Sequence, residues 1–154
     1  MALLVNELGF EGCRLGGSRR PDGIIYKDSH GVIIDNKAYP KGFSLPIGEQ
    51  DKMLRYIEDN QKRDAAITPN YWWLNFSKTV SAFSFLFVSS FFSTDISAKI
   101  HQLSLRAGTQ GGAINAPNLL LLAEEIKQGH ISYNDSFTLL KQNREITPPY
   151  QKLL

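Results

Sequence analysis

Pro21-Asp-Gly-Ile-Ile-Tyr26 and, after a short polar gap, Gly31-Val-Ile-Ile-Asp-Asn-Lys-Ala-Tyr39 read as the two strands of a β-hairpin. Both runs are rich in β-branched and aromatic residues, and Lys27-Asp-Ser-His30 between them has turn composition. With Asp28-Ser29 as a two-residue loop, Lys27 pairs with His30, and the same register sets Asp22 opposite Asp35. A slip of one residue would send the two carboxylates to opposite faces, so the register is an expectation for the structure to test. The side-chain period of two then places Asp35 and Lys37 on one face of the second strand, with Val32, Ile34, Asn36 and Ala38 on the other. Like charges facing each other across strands weaken the pairing, and a bound divalent cation removes that liability. Two carboxylates and a lysine presented together are what metal-assisted phosphodiester chemistry requires.

Each element alone is weak. Pro-Asp-Gly is a common turn signal, and acid-x-Lys triplets arise by chance. Glu125-Ile-Lys127 has the same spacing but falls in a helical pattern, where residues two apart point to different sides. The combination is what carries weight: strand context, a carboxylate on each strand, and the basic, glycine-containing run Arg14-Leu-Gly-Gly-Ser-Arg-Arg20 leading into them.

The 154 residues fit one domain with a real core. Seventeen Lys and Arg against fifteen Asp and Glu give a net charge of +2, so affinity for a polyanion must come from local clustering such as Arg14, Arg19 and Arg20. The single cysteine, Cys13, excludes an intramolecular disulfide and fits a reducing compartment. The longest apolar stretch, around Phe83 to Phe92, is broken by serines and is far from membrane-spanning length. A short helical piece is expected before the hairpin. After it come a helix from Ile47 to Asp64, a buried strand from Phe83 to Ser89 at the centre of the sheet, and a helix from Thr94 to Ala107. A strand from Gly112 to Ala116 follows, then a helix with Pro117 in its first turn and Gly129 at its C-terminal cap, and a last helix capped by Ser132 with Asp135 and reaching about Asn143. Trp72 and Trp73 follow Pro69-Asn70 and are expected to pack into the core rather than to stack on bases. His30, His101 and His130 have no partner at triad or metal-ligand spacing.

Beyond the hairpin, the segments Leu45-Pro-Ile-Gly48, Asp51, Met53, Arg55-Tyr56, Pro69-Asn70, Trp72-Trp73 and Phe85-Leu-Phe-Val-Ser89 complete a pattern. From about Gly9 to about Asn143 it closely resembles the cleavage domains of FokI-type type IIS restriction endonucleases, within the PD-(D/E)xK nuclease superfamily. The resemblance implies an α/β fold with a restriction-endonuclease-like core, a mixed central sheet flanked by helices. It places Asp22, Asp35 and Lys37 on the catalytic positions. Asp22, Asp35 and the Asn36 carbonyl would hold Mg2+ or Mn2+, and Arg14, Ser18, Arg19 and Arg20 would meet DNA phosphates. Asp51 and Arg55 fall on the family's reciprocal dimer-interface positions. The implied partners are double-stranded DNA, a second copy during cleavage and a DNA-recognition domain, with no membrane, in a bacterial cytoplasm. Residues 1–154 would then be one nuclease domain without the family's upstream recognition region and some N-terminal helices. Two other readings stay open: a PD-(D/E)xK nuclease of DNA repair or mobile elements, and a catalytically inactive DNA-binding fragment.

Overall fold

The computed structural model describes residue 6 and residues 8–148. The short helical piece expected at the start falls largely outside them. Five strands form one mixed sheet in the order β1-β2-β3-β4-β5: β1 Glu11–Arg14, β2 Gly23–Lys27, β3 His30–Lys37, β4 Ala82–Ser89 and β5 Gly111–Asn115. The first three strands pair antiparallel, and β3, β4 and β5 run parallel. Parallel neighbours need crossovers, which the helices supply. Helix α1, Ile47–Lys62, joins β3 to β4, and α2, Ser97–Ala107, joins β4 to β5. Helices α3, Ala116–Lys127, and α4, Tyr133–Leu140, follow the last strand.

The β2–β3 register is the expected one, with Lys27 facing His30 and Gly23 facing Ile34. One step further brings Asp22 opposite Asp35. Asp28 takes a left-handed conformation, φ 52°, as a two-residue loop demands.

Alternation along the strands builds two cores, one on each side of the sheet. Ile24, Ile33, Phe85, Phe87 and Ala113 point to the side covered by α1 and α2, where Met53, Ile57, Ile100 and Leu103 close over them. Ile25, Val32, Ile34, Leu86, Val88 and Ile114 point to the other side, against Leu122 of α3 and Phe137 and Leu140 of α4. Each buried Val, Leu, Ile, Met or Phe side chain among these contributes about 1.5–3 kcal/mol of transfer free energy. Trp72 and Trp73 join the first core from a 3-10 turn, Trp72–Asn75, so their structural role stands although the turn is shorter than a helix.

Several boundaries move for local reasons. Helix α2 starts at Ser97, not Thr94, because the Asp95 side chain accepts from the Ser97 N–H and holds the preceding residues in a turn. Helix α1 stops at Lys62 because Arg63 turns left-handed, φ 49°, and its N–H closes on the Asp59 carbonyl. Helix α4 ends at Leu140, three residues before the expected end, while its Ser132 cap is as expected, accepting from the Asp135 N–H. Strand β5 begins at Gly111, where a Cβ would lie 2.4 Å from the Phe85 ring, so only glycine lets the strands come this close. Strand β4 is interior but one place off the middle. The middle strand is β3, the one carrying Asp35 and Lys37.

Candidate active site

Strand β3 delivers Asp35 and Lys37 to the C-terminal end of the parallel part of the sheet, where open α/β sheets place their ligand crevices. Alternation sends both side chains to the α1 side, and both are buried, Asp35 3% and Lys37 9% exposed. Asn36 between them points the other way and is exposed. Its backbone N–H instead donates to Asp22 Oδ2 at 2.8 Å, which fastens the second carboxylate beside the first. Asp22 arrives from the bend just before β2, one place beyond the Gly23–Ile34 pair.

Lys37 Nζ lies 2.6 Å from Asp35 Oδ2 and also forms an ion pair with Glu49 Oε2. Glu49 comes from the first turn of α1, and Lys52 Nζ braces it at 3.3 Å. Asp35 Oδ2 and Glu49 Oε2 have no hydrogen-bond partner of regular geometry, so the lysine charge is their compensation. Burial pushes the Asp35 carboxyl up to about 6; the Lys37 ammonium pulls against that rise and the Asp22 carboxylate adds to it. Burial would lower Lys37, but its bonds to Asp35 and Glu49 outweigh burial and hold the ammonium above its ordinary value. Burial would raise Glu49, yet the contacts from Lys37 and Lys52 win and its carboxyl sits low. Tyr56, about two turns beyond Glu49 along α1, is pushed up to about 12 by burial and by the Asp35 charge.

The donor set suits a hard divalent cation. It offers carboxylate oxygens on Asp22 and Asp35, a buried Asp35 oxygen without a regular hydrogen-bond partner, and the Asn36 backbone at the same strand end. Among the described residues no three His, Cys, Asp or Glu side chains gather into a cage. One or two carboxylates with water and substrate oxygens completing the shell is the manner of Mg2+.

The basic run expected at the DNA phosphates forms the β1–β2 connection. Leu15 N–H bonds the Asp22 carbonyl at 2.9 Å and Gly16 N–H the Pro21 carbonyl at 3.2 Å, so this loop closes directly onto the site. Arg14, Ser18 and Arg19 are exposed, Arg20 is half-buried, and Asn70 donates to the Ser18 and Arg19 carbonyls from outside. The strand before it, Glu11–Arg14, was not foreseen. Its four residues have neither alternation nor β-branched side chains to mark it.

Asp51 and Arg55 both lie on the outer face of α1 and are exposed. Asp51 is not free. Its Oδ1 accepts from Arg106 Nη2 of α2 at 2.7 Å, and among the described residues no ion pair joins it to Arg55.

A mixed five-stranded sheet that brings an aspartate pair and a lysine to the end of its middle strand defines a restriction-endonuclease-like α/β protein. Within that class, the model of the FokI cleavage-domain family matches residues 1–147, and the chain belongs to that family. It is 40% identical over 139 residues to the type II restriction enzyme FokI of Planomicrobium okeanokoites. Over 145 residues it is 33% identical to the type II restriction enzyme StsI of Streptococcus sanguinis. Each match takes in 88% of this chain and 24% of the relative, so the chain spans about a quarter of the length of these proteins. The structure of the restriction endonuclease FokI superposes with a TM-score of 0.90, and FokI bound to DNA with 0.86. Both are 38% identical and cover 96% of this chain, with 27% and 28% of the longer chain matched. No helix among the described residues is long and apolar enough to cross a membrane.

Proposed function

We propose that this chain is the cleavage domain of a bacterial, cytoplasmic type IIS restriction endonuclease. It hydrolyses phosphodiester bonds of duplex DNA in the presence of Mg2+ or Mn2+, reads no bases itself, and cuts both strands as a dimer steered by a separate recognition domain. The observation that carries this reading is the buried Asp35–Lys37 pair with Asp22 fastened beside it. Membership of the FokI cleavage-domain family and the similarity to a DNA-bound restriction endonuclease support it.

Asp22, Asp35 and the Asn36 carbonyl would hold the cation, which when bound would supply Lewis-acid charge to activate a water and to offset charge on the scissile phosphate. Burial and the Asp22 carboxylate hold the Asp35 carboxyl above its ordinary value, and a cation bound between the two would offset both effects. Lys37, a compact cation with three donors, orients the attacking water and donates to a phosphate oxygen as charge builds there. Arg14, Arg19 and Arg20 lead the backbone of the duplex to this point, with Ser18 contributing a hydroxyl. Such contacts position the duplex without reading sequence and weaken steeply with salt.

One domain offers one such site, whereas a duplex has two strands to cut. A second copy docked through α1, with Asp51 of one meeting Arg55 of the other, supplies the second site and makes each contact twice. The test is nicking of supercoiled plasmid with Mg2+ by the wild-type chain, Asp22→Ala and Asp35→Ala. Both variants should remain folded and inactive. Nicking by either at close to the wild-type rate would sink the assignment.

A further inference from the structure

Lys37 is gripped by two carboxylates, and only one belongs to the hairpin. The other, Glu49, is built in from a different element and has no spacing relation to the hairpin residues in the sequence. It stands in the first turn of α1, where unpaired backbone N–H groups and the helix dipole favour an anion. Lys52 braces both of its oxygens, at 3.3 Å to Oε2 and 3.4 Å to Oε1. Glu49 is therefore an anion fixed by the helix. Asp35 is the anion that a cation would claim. The Lys37 ammonium rests on Asp35 Oδ2, and a divalent cation drawing on the same carboxylate repels it, so the lysine needs a second partner in order to stay.

We infer that Glu49 is a positioning residue for strand cleavage: it retains the Lys37 ammonium at the phosphate site when Asp35 is committed to the cation. This rests on the function proposed above, in which Asp22, Asp35 and Lys37 perform the chemistry. Glu49 acts through Lys37 and touches neither cation nor DNA. Its Oε2 lies between Lys37 and Lys52, so a cation reaching that oxygen would have to displace two ammonium groups, against one at Asp35 Oδ2.

The experiment compares the full chain with Glu49→Gln, an isosteric neutral replacement, and with Glu49→Asp, which keeps the charge on a shorter stem. Metal-free protein is treated with limiting acetic anhydride, and modification of Lys37 is read by peptide mass spectrometry against exposed Lys78. Glu49→Gln should raise the relative reactivity of Lys37 by about threefold or more, with Glu49→Asp close to wild type, because the ion pair holds the nitrogen in place as ammonium and only the neutral amine attacks the anhydride. Single-turnover plasmid nicking at saturating Mg2+ should fall by about tenfold or more in Glu49→Gln and recover partly in Glu49→Asp, with the protein concentration for half-maximal rate little changed. Calorimetry should show Mg2+ affinity largely retained in Glu49→Gln and lost in Asp35→Ala. Unchanged Lys37 reactivity in Glu49→Gln overturns the inference, and so does a loss of Mg2+ binding as large as that of Asp35→Ala, which would make Glu49 a ligand. Wild-type nicking by Lys37→Ala would instead sink the proposed function, while the metal-free reactivity still reports whether Glu49 holds the lysine.

Discussion

Helix α1 presents two carboxylates that each meet a cation from another element, on opposite sides and within one turn of each other. On its inner side Glu49, itself partly buried, meets Lys37, which also holds Asp35, and Lys37 and Asp35 are almost wholly removed from water. On its outer side Asp51 meets Arg106, with the two side chains 53% and 41% exposed. The chemistry is the same and the consequences differ. In water the outer pair is screened and can be exchanged for another partner at small cost. The inner cluster is largely desolvated, and removing its central cation would leave the Asp35 and Glu49 carboxylates facing each other uncompensated. Burial, rather than the presence of an ion pair, separates the proposed reactive centre from surface decoration here.

The sharpest way to break that contrast is to delete the inner cation. Lys37→Ala should lower nicking by about 10²–10³-fold, the cost of removing one charge-stabilising donor group, while Mg2+ binding measured by calorimetry persists. Retained nicking with lost metal binding would invert the roles given to lysine and aspartate.

Next in size is the pH dependence of metal-free stability. Asp35 has its folded-state pKa raised to about 6 from 3.8, so its contribution to stability is fully present below the unfolded value and is lost as pH rises through the folded one. From this group alone, stability falls between about pH 4 and pH 6 by on the order of 2–3 kcal/mol. Asp35→Asn should remove that decline and melt higher than wild type above pH 6 in the presence of chelator. Thermal denaturation across pH 4 to 7 reads the result, and an unchanged profile would show that burial does not penalise this carboxylate.

The outer pair is tested by exchange. Asp51→Arg should suppress double-strand cleavage by a tethered domain about tenfold or more, since two like-charge contacts appear in a two-fold dimer. Mixing it with Arg55→Asp should restore cleavage that neither performs alone, read as linear product from supercoiled plasmid. Normal cleavage by either single reversal removes this helix from the dimer interface. Smallest of all, Arg106→Ala should cost only about 0.2–1 kcal/mol in urea denaturation, the range for an exposed pair. A cost several times larger would mean that the outer pair is not the weak partner of the comparison.

The sequence exposes the hairpin well, because strand alternation and a two-residue loop leave one register that keeps both aspartates on one face. The second core is legible for the same reason, in Val32, Ile34, Leu86 and Val88. Glu49 is not legible. An acidic residue in a first helical turn normally faces water and helps the dipole, and nothing local shows that the crossover after β3 folds this one inward over Lys37. Strand β1 is hidden because its glycine, cysteine and charged ends follow no period and it owes its place to pairing with β2. The partner of Asp51 is also invisible, since Arg106 lies on another helix and meets it only after both have docked on the sheet.

The first turn of α1 has a practical meaning for anyone wishing to control such a domain. Glu49 and Asp51 are two residues apart, about 3 Å of helical rise. A small molecule, an engineered disulfide or a fused binding module seated on the outside of that turn would cover the face proposed to meet the second copy, two residues from the lysine's anchor. An off-switch placed there would need to reach neither the metal site nor the path of the duplex.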